Sequence, residues 1–163
     1  MKIGRITLSD RASGGIYEDR SGPEIERVLG GLFAGTVEFE RVLLPDEQPL
    51  IEAALKDLCS RGCALVVTTG GTGPSARDVT PEATRAVIEK ELPGFGEAMR
   101  ALSFRTVRTA ILSRATAGVR GKTLIVNLPG NPKSIAECLP PLLPAIVEAI
   151  DHIAGFRPEV RNG

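Results

Sequence analysis

Tryptophan is missing from the chain, tyrosine and histidine occur once each, and cysteine three times. Each shortage removes a class of chemistry. Single-stranded nucleic acid is gripped by aromatic stacking platforms, and a chain with one tyrosine and no tryptophan is poorly stocked to build one. The one histidine, His152, lies on an apolar-striped terminal segment, which argues against both a Ser-His-Asp triad and a histidine metal site. Three cysteines cannot all pair. Cys59 and Cys63 fall at an expected helix end and strand start, not at a zinc-knuckle spacing, and with Cys138 they read as buried reduced thiols. Any metal must therefore be held by oxygen.

Charge of one sign is not in excess either. Twenty Lys and Arg balance 20 Asp and Glu, so no global field recruits nucleic acid or an anionic membrane. Long hydrophobic runs are also wanting, and none approaches the length that spans a bilayer. Met1 leads straight into a strand-like run without a charged-then-apolar leader, which predicts a cytoplasmic protein. What remains is ordinary globular composition, 42% hydrophobic and 25% charged, on a chain long enough for one domain with a substantial core. A small-molecule partner is favoured.

Periodicity divides the chain into alternating elements. Residues 3–8 read as a strand that empties into Ser9-Asp10-Arg11 and a glycine loop. A helix opening at Pro23 repeats Ile25, Val28, Leu29, Leu32 and Phe33 on one face. Thr36 to Leu44 is a second strand, and Pro49 starts a helix with Ile51, Ala54, Leu55, Leu58 and Cys59 inward. Cys63 to Thr69 is continuously apolar, as a central strand covered on both faces requires. Thr80-Pro81 opens a helix running to about Leu92, and a short helix follows from Phe95 to Ser103. Strands are expected at Thr106 to Ser113 and Lys122 to Leu128, separated by an Ala-Gly-rich turn. The last stretch is helical, with Pro140-Pro141 dividing a short piece from a long one. This order predicts an α/β fold, a mostly parallel sheet with helices on both faces, whose ligands sit at the carboxyl ends of the strands.

The strand-end loops carry the chemistry. Gly70, Gly71 and Gly73 let the backbone approach a ligand and turn its amides toward phosphate oxygens, the alternative being a turn that only reverses the chain. Asp46 and Asp78 lie at two strand ends and can reach one crevice. Two acids beside phosphates suggest Mg²⁺, which takes oxygen ligands, often one or two carboxylates plus substrate phosphates; helix capping is the competing account of each. Gly130-Asn131-Pro132-Lys133-Ser134 is another strand-to-helix junction, able either to bind phosphate or simply to cap the helix. Two motif matches fail on context. Gly121-Lys122-Thr123 resembles a P-loop end, but Thr116 stands where its leading glycine belongs and a strand follows. Gly71-Thr72-Gly73 imitates a dinucleotide fingerprint, yet Pro74 and Asp78 obstruct its turn.

Taken in order, Leu8-Ser9-Asp10-Arg11, Leu44-Pro45-Asp46-Glu47, Thr68 to Pro74, Arg77-Asp78-Val79-Thr80-Pro81-Glu82 and Leu128 to Pro132 resemble the molybdopterin adenylyltransferases. The resemblance covers nearly the whole chain and implies a three-layer α/β/α domain with a mostly parallel central sheet, a single molybdopterin-binding domain over residues 1–163, usually homotrimeric. It implies ATP and molybdopterin as substrates, Mg²⁺, and a molybdenum-insertion protein downstream. The terminal phosphate of molybdopterin would attack the α-phosphorus of ATP. Asp46 and Asp78 match the family's essential acids and metal ligands, and Gly70, Gly71 and Gly73 its nucleotide loop. Ser9, Asp10 and Asn131 would line the nucleotide mouth, and Ser134, Arg77 and Thr80 the substrate side. Some relatives carry a longer C-terminal portion than this chain. Two rivals stand beside this expectation: a non-catalytic pterin-binding module of the same fold, and a dinucleotide pyrophosphatase-like enzyme on a similar one.

Overall fold

A computed structural model describes residues 1–161, so the last two positions of the expected 1–163 domain lie outside the described residues. In chain order the elements are β1 (Lys2–Leu8), α1 (Asp10–Ser13), α2 (Ser21–Leu32), β2 (Glu38–Leu44), α3 (Gln48–Ser60), β3 (Leu65–Thr69), α4 (Thr80–Val87), β4 (Lys90–Glu91) and α5 (Gly94–Phe104). A 3-10 segment, Arg108–Leu112, then leads to β5 (Ala117–Arg120), β6 (Thr123–Leu128) and α6 (Pro132–Ala154). The strands lie in the order β2-β1-β3-β6-β5-β4. The first four are mutually parallel, and only β5 and β4 run against their neighbours.

Period-two alternation assigns the two faces. Ile3, Leu65, Val67, Leu124 and Val126 point toward α2, α5 and α6, while Ile6, Leu8, Val66 and Ile125 point toward α3 and α4. Both faces are covered, which is why β3 and β6 are buried at every position and show no polar side. The three-layer expectation holds. Besides Thr123 at its start, β6 contains one polar residue, Asn127. It is fully buried, donates to the hydroxyls of Thr68 at 3.0 Å and Thr84 at 2.9 Å, and accepts from the Thr116 amide.

Four expectations need correction. The segment 106–113 is no strand: it holds the 3-10 turn, with Ile111 62% and Leu112 53% exposed, so its apolar residues serve no sheet face. The strand is β5, inside the stretch read as an Ala-Gly-rich turn. Its small residues answer a packing limit, since a Cβ on Gly118 would meet Ile88 Cδ1 at 2.5 Å and the Lys90 carbonyl at 2.7 Å. Helix α4 ends at Val87 instead of continuing to Leu92, because β4 must join β5.

Helix α6 is undivided although Pro140, Pro141 and Pro144 lie inside it. Each proline removes one helical hydrogen bond, a loss of about 3 kcal/mol in a helix interior. All three face solvent, where water can reach the freed carbonyls, and the opposite stripe of Ile135, Leu139, Leu142, Ile146, Val147 and Ile150 is buried against the sheet. Burial of that stripe holds the helix through the prolines. The four-residue helix α1, capped by Ser9 through the Ala12 amide at 3.1 Å, has no counterpart in the periodicity of the sequence.

Candidate active site

Parallel pairing brings four loops to one edge. Leu8 is in register with Leu44, Thr7 with Thr69, and Thr69 with Leu128, so the chain leaves β1, β2, β3 and β6 on the same side of the sheet. The order β2-β1-β3 means that the chain turns one way after β1 and the other way after β2. The crevice of an open α/β sheet falls at such a reversal.

The glycine loop after β3 is built to present amides. Its four carbonyls are all tied back into the protein: Gly70 O accepts from the Thr80 hydroxyl at 2.9 Å and Gly71 O from the Thr80 amide at 3.1 Å. Thr72 O accepts from the Arg114 amide at 2.8 Å, and Gly73 O from Arg114 Nε at 2.9 Å. In a planar trans peptide the N–H opposes the preceding carbonyl. Anchoring the carbonyls of Gly70, Gly71 and Thr72 therefore turns the amides of Gly71, Thr72 and Gly73 away from those anchors, and these amides meet no acceptor among the described residues. Gly70 and Gly71 have φ of 93° and 64°, and a Cβ on Gly70 would lie 2.3 Å from the Leu8 carbonyl oxygen.

Both aspartates adjoin this loop. A Cβ on Gly71 would fall 3.0 Å from Asp46 Oδ1, and one on Gly73 would fall 2.8 Å from Asp78 Oδ2. Asp46 is not a cap: the residue at the start of α3 is Glu47, without a side-chain cap. Instead Asp46 Oδ2 accepts from the Asp10 amide at 3.1 Å, and the Asp46 amide donates to Asp10 Oδ1 at 3.0 Å. That leaves Asp46 Oδ1 buried with no hydrogen-bond partner. Burial pushes its carboxyl above the usual range; the hydrogen bond from Asp10 opposes this, and the charges of Asp10 and Asp78 add to it. Asp78 does not cap α4 either; Val79 starts that helix, and Asp78 Oδ2 accepts from the Ser75 amide at 3.0 Å.

A buried, unpartnered, partly desolvated carboxylate oxygen beside a second acid and a row of free amides fits a divalent cation shared with phosphate oxygens. No cluster of three His, Cys, Asp or Glu forms among the described residues, so such an ion draws most of its ligands from substrate and water.

The other expected residues divide. Asp10 and Arg77 are engaged with each other: Arg77 Nε and Nη2 donate to the Asp10 carboxylate at 3.0 and 2.8 Å, and Nη2 reaches Glu47 at 3.0 Å. This pairing holds Asp10 below the usual carboxylate range. Thr80 is fully buried with its hydroxyl on Gly70, so it braces the loop. Ser9 caps α1 and lines the groove with Thr69, Gly70 and Gly130. Asn131 caps α6 through the Lys133 amide at 2.9 Å. Ser134 opens into a different hollow, with Met99, Arg100, Ser103 and Ser113.

Three residues at or behind this groove carry no mark in the sequence motifs. Tyr17 borders the groove on both sides of Ser9. Asp19 accepts from Thr7 Oγ1 at 2.9 Å and from Arg5 at 3.1 Å. Arg114 braces the glycine loop from behind. Only the exposed aromatic Tyr17, beside a strand end, offered a signal.

A mostly parallel sheet whose strand-end loops gather amides without acceptors and two neighbouring carboxylates defines an α/β/α domain with a site of the kind that suits phosphate-bearing small molecules. Residues 4–148 match the family described as a probable molybdopterin binding domain, and the chain belongs to that family. The molybdopterin adenylyltransferase of Helicobacter pylori strain ATCC 700392 / 26695 is 55% identical over 154 residues, 94% of this chain and 88% of that protein. The molybdopterin adenylyltransferase of Escherichia coli K12 is 51% identical over 140 residues, 85% of this chain and 72% of that protein. The crystal structure of the molybdopterin biosynthesis enzyme MoaB from Thermus thermophilus superposes with a TM-score of 0.86 at 42% identity, covering 96% of this chain and 98% of that one.

Proposed function

We propose that this chain is a molybdopterin adenylyltransferase, acting in the cytoplasm with ATP and Mg²⁺ to form adenylylated molybdopterin and pyrophosphate during molybdenum-cofactor biosynthesis. The observation that carries the reading is the acceptor-free amides of Gly71, Thr72 and Gly73 beside the unpartnered carboxylate oxygen of Asp46. The names of the relatives at 51–55% identity support the substrate pair. No helix among the described residues is long and apolar enough to cross a membrane.

In this reading Asp46 and Asp78 hold the magnesium ion, which when bound neutralises phosphate charge and polarises the bond to be broken. The amides of residues 71–73 receive phosphate oxygens of ATP. A terminal phosphate oxygen of molybdopterin forms a bond to the α-phosphorus, and the bond from that phosphorus to the oxygen bridging to the β-phosphorus breaks. Pyrophosphate departs with the bridging oxygen. The chain supplies no nucleophile; it orients the two anions and offsets their repulsion. Ser9 and Asn131 line the nucleotide side and Ser134 the pterin side, while Asp10, Arg77 and Thr80 keep the loops in place around them. Residues 1–163 work as one domain and pass the product to a molybdenum-insertion protein.

Incubating purified protein with molybdopterin and ATP, with and without Mg²⁺, should yield pyrophosphate and adenylylated pterin together, and only with the metal. ATP hydrolysis without a modified pterin would contradict the assignment.

We further propose that the chain assembles as a homotrimer. The apolar stripe of α6 gives no support for this, being buried in its own sheet. The support is the family resemblance, together with exposed Ile111 and Leu112. Light scattering at micromolar concentration should return three times the chain mass of 17.3 kDa, and a monomeric mass would remove the trimer.

A further inference from the structure

We infer that Arg114 is a positioning residue for the transfer step, its side chain fixing the Gly73-to-Asp78 segment that presents the metal-binding carboxylate to the glycine cradle. The inference rests on the adenylyltransferase reading above. No spacing in the sequence links Arg114 to that loop, which lies about 40 residues earlier in the chain; the fold brings them together where the chain enters β5.

Arg114 makes a fan of contacts to one short segment. Its amide donates to Thr72 O at 2.8 Å, Nε to Gly73 O at 2.9 Å and Nη2 to Asp78 O at 2.9 Å. The guanidinium thus spans both ends of the loop from 73 to 78. Nη1 and Nη2 also donate to the Glu82 carboxylate, in the first turn of α4.

Two features separate this arrangement from an ordinary ion pair. First, Arg114 grips the main chain of Asp78 and leaves the Asp78 carboxylate alone; that group's protein contact is the Ser75 amide. A guanidinium on the carboxylate itself would compete with a cation for the same oxygens. Second, Glu82 answers the guanidinium charge, and its carboxyl is held below the usual range by Arg114. Arg114 can therefore stand behind a cation site without repelling its occupant. The planar fork suits the task because it offers several donors in fixed directions, whereas a lysine ammonium is a point charge on a flexible stem. Partners that orient a metal ligand typically change metal affinity or activity by about 10- to 100-fold when removed.

The test compares wild type, Arg114→Gln and Arg114→Lys in steady-state kinetics, in Mn²⁺ titrations followed by electron paramagnetic resonance with ATP present, and in amide exchange. In Arg114→Gln we expect kcat to fall by about 10- to 100-fold and Mn²⁺ affinity by about tenfold. KM for molybdopterin should hold, and the amides of residues 73–78 should exchange faster. Arg114→Lys should fall between the two, because it can reach one carbonyl. A folded Arg114→Gln protein with wild-type kcat and Mn²⁺ affinity overturns the proposal; if that variant does not fold, wild-type values in Arg114→Lys do so. Should the wild type itself transfer no adenylyl group, the adenylyltransferase reading has failed separately. Mn²⁺ affinity and amide exchange in the variants then still decide the role of Arg114.

Discussion

Asp46→Asn and Asp78→Asn should each lower adenylylation roughly a thousandfold while remaining folded. Each substitution removes one of the two carboxylates proposed to hold the metal, and metal-assisted charge stabilisation amounts to several kcal/mol at the transition state, of which about 4 kcal/mol corresponds to that factor. The stability effect has a different sign for Asp46. Burial raises the Asp46 carboxyl above its ordinary value, so its contribution to folding is favourable below the unfolded-state value and is lost as pH rises through the folded-state one. At neutral pH the ionised group therefore opposes folding, and Asp46→Asn should melt no lower than wild type. The difference should close as pH falls into the acid range. Measuring turnover and melting on the same samples separates the two effects. Near-wild-type turnover in either variant would remove that aspartate from the mechanism.

Gly71→Val should abolish ATP binding. At φ of 64° the residue lies in the left-handed region, where a β-branched side chain is strained. Its Cβ would sit 2.3 Å from Thr80 Oγ1 and 3.0 Å from Asp46 Oδ1, so it would push apart the hydroxyl that anchors the loop and the carboxylate that faces it. Gly30→Ala is the contrasting control. It lies inside α2 with no atom near its missing Cβ, and should keep full ATP affinity with up to about 1 kcal/mol gained in helix stability. Calorimetry that finds unchanged affinity in folded Gly71→Val would show that the cradle does not receive the nucleotide.

The sheet and its covering helices were legible because burial on two faces leaves continuous apolar strands, as at Leu65–Thr69, and one-sided burial leaves helical stripes, as at Ile51, Leu55 and Leu58. The reading failed where composition had a second cause. Gly118 is small because Ile88 and Lys90 crowd it, which in sequence looks like a turn. The prolines of α6 look like a break, and their placement on the solvent face is visible only in the fold.

In the site, glycines at a strand end and acids at neighbouring strand ends stand out in the sequence as candidates, although chain reversal and helix capping use the same residue types. The frame that orients them does not stand out. Arg114 and Thr80 act on main-chain carbonyls, which every residue possesses, so no residue pattern marks the contact. Asp10 and Arg77 look like ligand-lining residues in the sequence because their mutual engagement across 67 positions depends on how the loops meet.

The central claim is transfer of an adenylyl group from ATP to molybdopterin, and the fate of labelled phosphorus tests it most directly. With ATP labelled at the α-phosphorus, the label should appear in the pterin product; with ATP labelled at the γ-phosphorus, it should appear only in pyrophosphate. Label from the γ position in the pterin, or α-label released as free AMP with the pterin unmodified, would contradict the account.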